Sequence, residues 1–177
     1  MVNTQSLDAR AKRVRLILLD VDGVLTDGTL IMHGDGSESK AFHIRDGAAI
    51  VWAMQAGIPV GLLSARTSSA TTQRASQLGI RIVSQGVGSK AAEFTRIAGE
   101  QGLQDGEIAY MGDDLLDLGV LARAGLAAAP ADAAADVRAV AHWTSTVGGG
   151  HGAVRELIEL ILDAQDLWDG IVKGFSA

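Results

Sequence analysis

Short apolar runs alternate along almost the whole chain with longer segments whose apolar residues recur at helical spacing. That pattern predicts βαβ units around a parallel sheet. Residues 14–21 are rich in Val, Leu and Ile at consecutive positions, as a strand covered on both faces must be, so this run belongs near the sheet centre. A helical segment at 48–56 stops at Gly57 and leads into an extended run at 58–63, where Pro59 is tolerable only near the start. The same order recurs three times: a helix at 69–78, Gly79 and a strand at 81–83; a helix at 91–101, Gly102 and a strand at 108–111; a helix at 115–124, Gly125 and an extended run at 126–129 that Pro130 breaks. The Ala-rich stretch 127–135 has a helix-compatible composition. A last helix at 153–168 carries Val154, Leu157, Ile158, Ile161 and Leu162 on one face and is expected to pack on the sheet.

Residues 29–43 break the alternation. Two short extended stretches flank Gly34-Asp35-Gly36, whose glycines permit a tight turn, so a β-hairpin projecting after the first strand is predicted.

Composition narrows the picture. With 177 residues, 47% of them apolar, the chain builds one domain with a sizeable core. The absence of cysteine excludes disulfide frameworks, thiolate zinc sites and cysteine nucleophiles. A formal charge of −6 leaves no electrostatic footprint for nucleic acid or anionic membrane. The opening residues have no apolar segment of signal-peptide length, and a soluble cytoplasmic protein is expected. Residues 1–12 are polar and expected to be flexible, 13–168 form the domain with its hairpin insertion at about 28–44, and 169–177 form a tail.

The chemistry concentrates at the ends of the predicted strands. Asp20 and Asp22 are two apart at the end of the first strand, so they face one site if extended geometry persists. A bare Asp-Gly at a strand end also serves as a plain turn. A second acidic group, Gly112-Asp113-Asp114-Leu115-Leu116-Asp117, follows the strand at 108–111. One Asp there is what helix capping favours, but three carboxylates repel one another unless a cation offsets them, and an all-oxygen site favours Mg²⁺. Ser64 and Arg66 follow the strand at 58–63, where a helix N-terminus holds phosphate well. Lys90 follows Gly86-Val87-Gly88-Ser89, a loop that lacks the Ser or Thr a P-loop needs after its lysine.

The order of these groups, together with DVDGVLTDG, FHIRDGAAI, SARTS, QGVGSK, MGDDLLD and GGHGAVREL, resembles the haloacid dehalogenase superfamily, and within it the 3-deoxy-D-manno-octulosonate 8-phosphate phosphatases. The resemblance spans residues 13–165. It implies a three-layer Rossmann-like α/β fold with a mainly parallel sheet, a projecting hairpin and no cap domain. Asp20 would be the nucleophile, forming an aspartyl-phosphate, and Asp22 the acid and base. Asp20, the Asp22 carbonyl and Asp113 would hold Mg²⁺, with Asp114 or Asp117 orienting them, while Ser64 and Lys90 bind the phosphoryl oxygens. His43, Arg45, Asp46, Gly47, Arg66, Arg74 and Lys90 would contact the sugar acid. The family pattern Tyr-Gly-Ile-Arg stands here as Ala48-Ala49-Ile50-Val51, so a substrate-facing arginine is missing and a nonulosonate 9-phosphate is an alternative substrate. The resemblance further implies a homotetramer in which hairpins meet and a neighbouring copy helps cover the site, and a place in lipopolysaccharide precursor synthesis. A phosphorylation-receiver module fits less well, because receivers carry their acceptor Asp mid-chain. Intact Asp20, Asp22, Lys90 and Asp113 argue against a silent oligomerisation domain.

Overall fold

The computed structural model describes residues 6–175. The first element, α1 (Leu7–Ala11), is capped by Ser6, whose hydroxyl accepts from the Ala9 amide. Polarity predicts flexibility over 1–12, yet Ala11 is fully buried and Arg10 donates to the Gly125 carbonyl at 2.7 Å. Tertiary contacts thus hold a five-residue helix that propensity alone would not. The remainder of that predicted segment, residues 1–5, lies outside the described residues, as do 176–177.

β1 (Leu16–Leu19) leads to the hairpin, β2 (Ile31–Met32) and β3 (Glu38–Ser39), paired antiparallel. The alternation then runs α2 (Ile44–Gln55), β4 (Val60–Leu63), α3 (Ser69–Leu78), β5 (Ile82–Ser84), α4 (Lys90–Gln101) and β6 (Ile108–Met111). It continues through α5 (Leu118–Leu121), β7 (Leu126–Ala129), α6 (Ala135–Val140), β8 (Trp143–Thr144), α7 (Ala153–Ala164) and α8 (Trp168–Gly174).

Six parallel strands form one sheet in the order β5-β4-β1-β6-β7-β8, and the hairpin makes a second sheet of its own. β1 lies between β4 and β6, as its unbroken apolar run predicts. Its alternate side chains feed two cores. Ile17 and Leu19 join Ile50, Ala53, Leu157 and Ile161 from α2 and α7 on one face. Leu16 and Leu18 join Phe94, Ile97, Val120 and Leu121 from α4 and α5 on the other. The chain builds outward from β1 through β4 and β5, then crosses to β6 on its other side. Strand order therefore reverses at β1, and a crevice opens at the C-terminal ends of β4, β1 and β6.

Four elements depart from the predicted boundaries. The helix expected at 115–124 is a 3₁₀ turn, Leu115–Asp117, followed by the single-turn α5. Gly125 is not its stop, because a Cβ there would lie 2.2 Å from the Gly106 carbonyl oxygen; close backbone packing requires the glycine. The extended run 126–129 is strand β7 as predicted, fully buried between its neighbours, and the helix-compatible Ala-rich stretch turns helical only from Ala135. α2 starts at Ile44 rather than 48, and α7 ends at Ala164. The tail returns as α8, where the Arg155 guanidinium lies 4.4 Å from the Trp52 ring and 5.3 Å from that of Trp168. No helix among the described residues is long and apolar enough to cross a membrane.

Candidate active site

The Asp20 amide donates to the Met111 carbonyl at 3.0 Å, extending the parallel ladder one residue past β1 and placing its carboxylate at the crevice. Asp20 Oδ1 accepts from the Val21 amide at 2.7 Å, and Oδ2 lies 2.7 Å from Lys90 Nζ. Asp22 sits in the following turn, its Oδ1 2.6 Å from Lys40 Nζ and its Oδ2 3.6 Å from Arg66 Nε. The turn depends on Gly23, which takes a φ of 88°; a Cβ there would lie 2.0 Å from Asp113 Oδ2 and expel that carboxylate. The 148–150 loop backs the turn, with the Gly150 amide donating to Val24 at 2.9 Å.

Three further strand ends complete the cleft. Ser64, just after β4, is buried and its Oγ accepts from the Arg66 amide at 3.2 Å. Lys90 opens α4 behind the Ser89 cap, and its ammonium lies 2.6 Å from Asp117 Oδ1. Asp117 is fully buried and saturated. Its Oδ1 also accepts from Tyr110 Oη at 2.5 Å, and its Oδ2 accepts from the amides of Asp113 and Asp114 at 3.0 and 3.2 Å. Asp114 is exposed and its carboxylate caps the Leu115 amide at 2.8 Å.

Crowding governs the electrostatics. Burial and then the Asp117 charge raise Asp20 to a pKa of about 6, against the pull of Lys90. Burial, followed by the charges of Asp20 and Asp117, raises Asp113 to about 7. Burial alone would lower Lys90, but Asp20 and Asp117 together hold it above its ordinary value. Burial first, then the Asp117 charge, pushes the Tyr110 phenol well up, so it donates and stays neutral.

Asp20, Asp113 and Asp117 each place a carboxylate oxygen within 4.8 Å of the others. Asp113 Oδ1 is buried with no hydrogen-bond partner. Three carboxylates against the single charge of Lys90 leave two negative charges, and this oxygen-only set fits a hard divalent cation.

These groups line a cleft of about 280 Å³: Asp20, Asp22, Ser64, Arg66, Lys90, Asp113, Asp114 and Asp117, with Leu116 at its rim. The other sequence-predicted contacts are elsewhere. α2 begins at Ile44, so residues 45–47 form its first turn, and none of them lines this cleft. Asp46 is buried and accepts the Arg155 amide of α7 at 2.8 Å. His43 Nδ1 lies 4.0 Å from Asp46 Oδ2, and Arg45 is exposed. The Arg74 guanidinium packs on Gly47 and lies 5.9 Å from the Phe42 ring centroid. Val51 lines a separate, larger cleft of about 690 Å³ with Met54, Pro59, Leu78 and Arg81. That cleft contains no carboxylate, serine or lysine, and within one chain the missing arginine is a feature of it rather than of the catalytic cleft.

Three residues at the site escape the strand-end pattern. Lys40 and Glu38 come from the hairpin, and their spacing of two, which places both on one side of an extended chain, is the signal for them. Tyr110 is the only tyrosine of the chain and lies inside a strand that is otherwise wholly apolar.

No protein-family model matches the chain. It is 40% identical over 161 residues to the 3-deoxy-D-manno-octulosonate 8-phosphate phosphatase KdsC of Yersinia pestis, covering 91% of this chain and 86% of that one. It superposes with a TM-score of 0.94 and 36% identity on the crystal structure of the same enzyme from Moraxella catarrhalis in complex with a magnesium ion, a phosphate ion and a KDO molecule, covering 96% and 97% of the two chains. A haloacid dehalogenase superfamily hydrolase of subfamily III A from Legionella pneumophila matches with a TM-score of 0.92 and 38% identity over 96% and 93%. The strand order, the acidic crevice and these likenesses agree: the chain belongs to the 3-deoxy-D-manno-octulosonate 8-phosphate phosphatase family of the haloacid dehalogenase superfamily and is a phosphoric monoester hydrolase.

Proposed function

We propose that this enzyme hydrolyses 3-deoxy-D-manno-octulosonate 8-phosphate to the free sugar acid and phosphate, with Mg²⁺ and an aspartyl-phosphate at Asp20. The observation that carries the reading is the convergence of Asp20, Asp22, Ser64, Lys90 and Asp113 in one small cleft at the strand-order reversal. Asp20 and Asp113, with the Asp22 carbonyl, would hold the ion, whose charge offsets that of the phosphoryl oxygens during transfer. Asp117 supports them from behind, since both its oxygens already accept two donors each. Asp114 serves as a helix cap.

Asp20 attacks phosphorus as the bond from phosphorus to the sugar oxygen breaks, and Asp22 gives that oxygen its proton. The Asp22 carboxylate then takes a proton from the water that attacks the aspartyl-phosphate, which releases phosphate and restores both residues. Lys90 keeps Asp20 oriented and, with Ser64, receives phosphoryl oxygens. Arg66, half exposed at the mouth, is suited to a substrate carboxylate.

Phosphate release is to be measured on a panel of the octulosonate 8-phosphate, nonulosonate 9-phosphates and hexose phosphates. The octulosonate ester should be turned over best, only with Mg²⁺, and Asp20→Asn should lower kcat by at least ~10³-fold. Undiminished turnover in that variant or in chelator overturns the mechanism; preference for another ester overturns the substrate.

A further inference from the structure

The acid and base of the proposed reaction is held by the hairpin. Lys40 follows β3 directly, and its side chain is completely buried although it ends in an ammonium. Lys40 Nζ lies 2.6 Å from Asp22 Oδ1 and 3.7 Å from Glu38 Oε1. Glu38 Oε2 in turn accepts from Arg66 at 2.9 Å, and Arg66 Nε returns to Asp22 Oδ2 at 3.6 Å. Two cations and two carboxylates close a ring across the mouth of the cleft.

The two oxygens of Asp22 are not equivalent within that ring. Oδ1 is taken by Lys40, whereas Oδ2 is buried and has no hydrogen-bond partner. An ammonium has three hydrogens and no acceptor. The carbonyl oxygen of a protonated carboxyl group is its better acceptor, so while Lys40 is bound to Oδ1 a proton carried by Asp22 is favoured on Oδ2. We propose that Lys40 is the positioning residue of Asp22, fixing the carboxyl group so that Oδ2 alone donates to the leaving oxygen and later accepts from water.

This inference rests on the acid and base role of Asp22, and its test turns on the leaving group. An alkyl phosphate expels an alkoxide that needs a proton, whereas p-nitrophenyl phosphate expels a stable phenolate that does not. For an alkyl substrate, Lys40→Met should lower kcat/KM ~100-fold, within the range that general acid catalysis supplies. For p-nitrophenyl phosphate the loss should stay below ~3-fold, because kcat/KM reports only the steps through transfer to Asp20. Asp22→Asn should show the same split, and adding Lys40→Met to Asp22→Asn should cost the alkyl substrate no more than ~3-fold further. Lys40→Arg should recover most of the loss.

Equal losses on both substrates, no loss on the alkyl phosphate, or a full further loss in the double variant would each overturn the proposal. If Lys40→Met does not fold, Lys40→Gln carries the same cycle. The alkyl phosphate is whichever one the wild-type enzyme hydrolyses best, so failure of the octulosonate ester as substrate leaves this test intact.

Discussion

Lys90 faces more negative charge than it can offset. Its ammonium bonds Asp20 and Asp117, yet Asp113 adds a third carboxylate to the same few ångströms. The pKa values of about 6 for Asp20 and about 7 for Asp113 express that surplus. Without a cation the folded chain holds protons that the unfolded chain releases near pH 4, so its stability falls as pH rises from about 4 to 7. A bound divalent cation removes the cost only where the carboxylates are ionised. At pH 8 a hundredfold excess of Mg²⁺ over Kd should therefore add about 2.7 kcal/mol, or ~5–10 °C of Tm for a chain of this size. At pH 5.5, where the ion competes with protons, the shift should be much smaller. Equal shifts at the two pH values in a thermal melt would contradict the coupling. The acidic cluster and Lys90 are legible in the sequence because each stands at the end of an apolar run. Tyr110 is not, because it hides inside such a run; for Lys40 the spacing from Glu38 shows only a shared side of the hairpin, and its contact with Asp22 comes from the folded geometry.

Helix termini decide which acidic residues are free for chemistry. The N-cap position of α7 is Gly152, which has no side chain to cap the helix, and Asp46 from the first turn of α2 supplies the acceptor for the Arg155 amide. The carboxylate also sits where the α7 dipole favours negative charge. Asp46→Ala would leave a buried donor unsatisfied and should cost ~1–3 kcal/mol in a denaturant titration, with kcat on the sugar phosphate retained by the folded fraction. Unchanged stability with a fallen kcat/KM would instead return Asp46 to the substrate contacts. The substrate contact of Asp46 is what the family resemblance implies; the apolar pattern sets the helix start at 48, four residues late, and so does not show that Asp46 belongs to a helical turn. Apolar periodicity is strongest in α7, whose buried face carries Val154, Leu157, Ile158, Ile161 and Leu162, and its predicted start agrees with the observed one, whereas α3 buries only Thr71 and Ala75 and is marked instead by its closing Gly79. α1, α6 and β8 carry no such period, and only packing defines them.

The whole molecule leaves its hairpin half-finished. β2 and β3 pair through two residues each, too few for an independent ribbon. The inward edge is tied by Lys40 and Glu38 to Asp22 and Arg66, but Ile31 and Met32 are 55% and 63% exposed. Ile44, at the base of the hairpin, is 80% exposed. Large apolar side chains grouped on one projection mark an association surface more often than a solvated turn. About 35 residues separate Gly28 from Ser64, too few for a lid domain in addition to α2 and β4. The hairpin is therefore the element through which copies of the chain would meet in the homotetramer that the family resemblance implies, and the same contact would hold Lys40 in place over Asp22. If so, association and catalysis are linked through one hairpin. Replacing both Ile31 and Met32 by serine should reduce the mass measured by light scattering from an oligomer to a single chain. It should also lower kcat/KM for the alkyl phosphate more than for p-nitrophenyl phosphate, because the loosened hairpin releases the acid. A wild-type enzyme that is already a single chain, or a double variant of unchanged mass, would refute the contact. A dissociated variant with undiminished alkyl phosphatase activity would show that the hairpin holds Asp22 without help from a second copy.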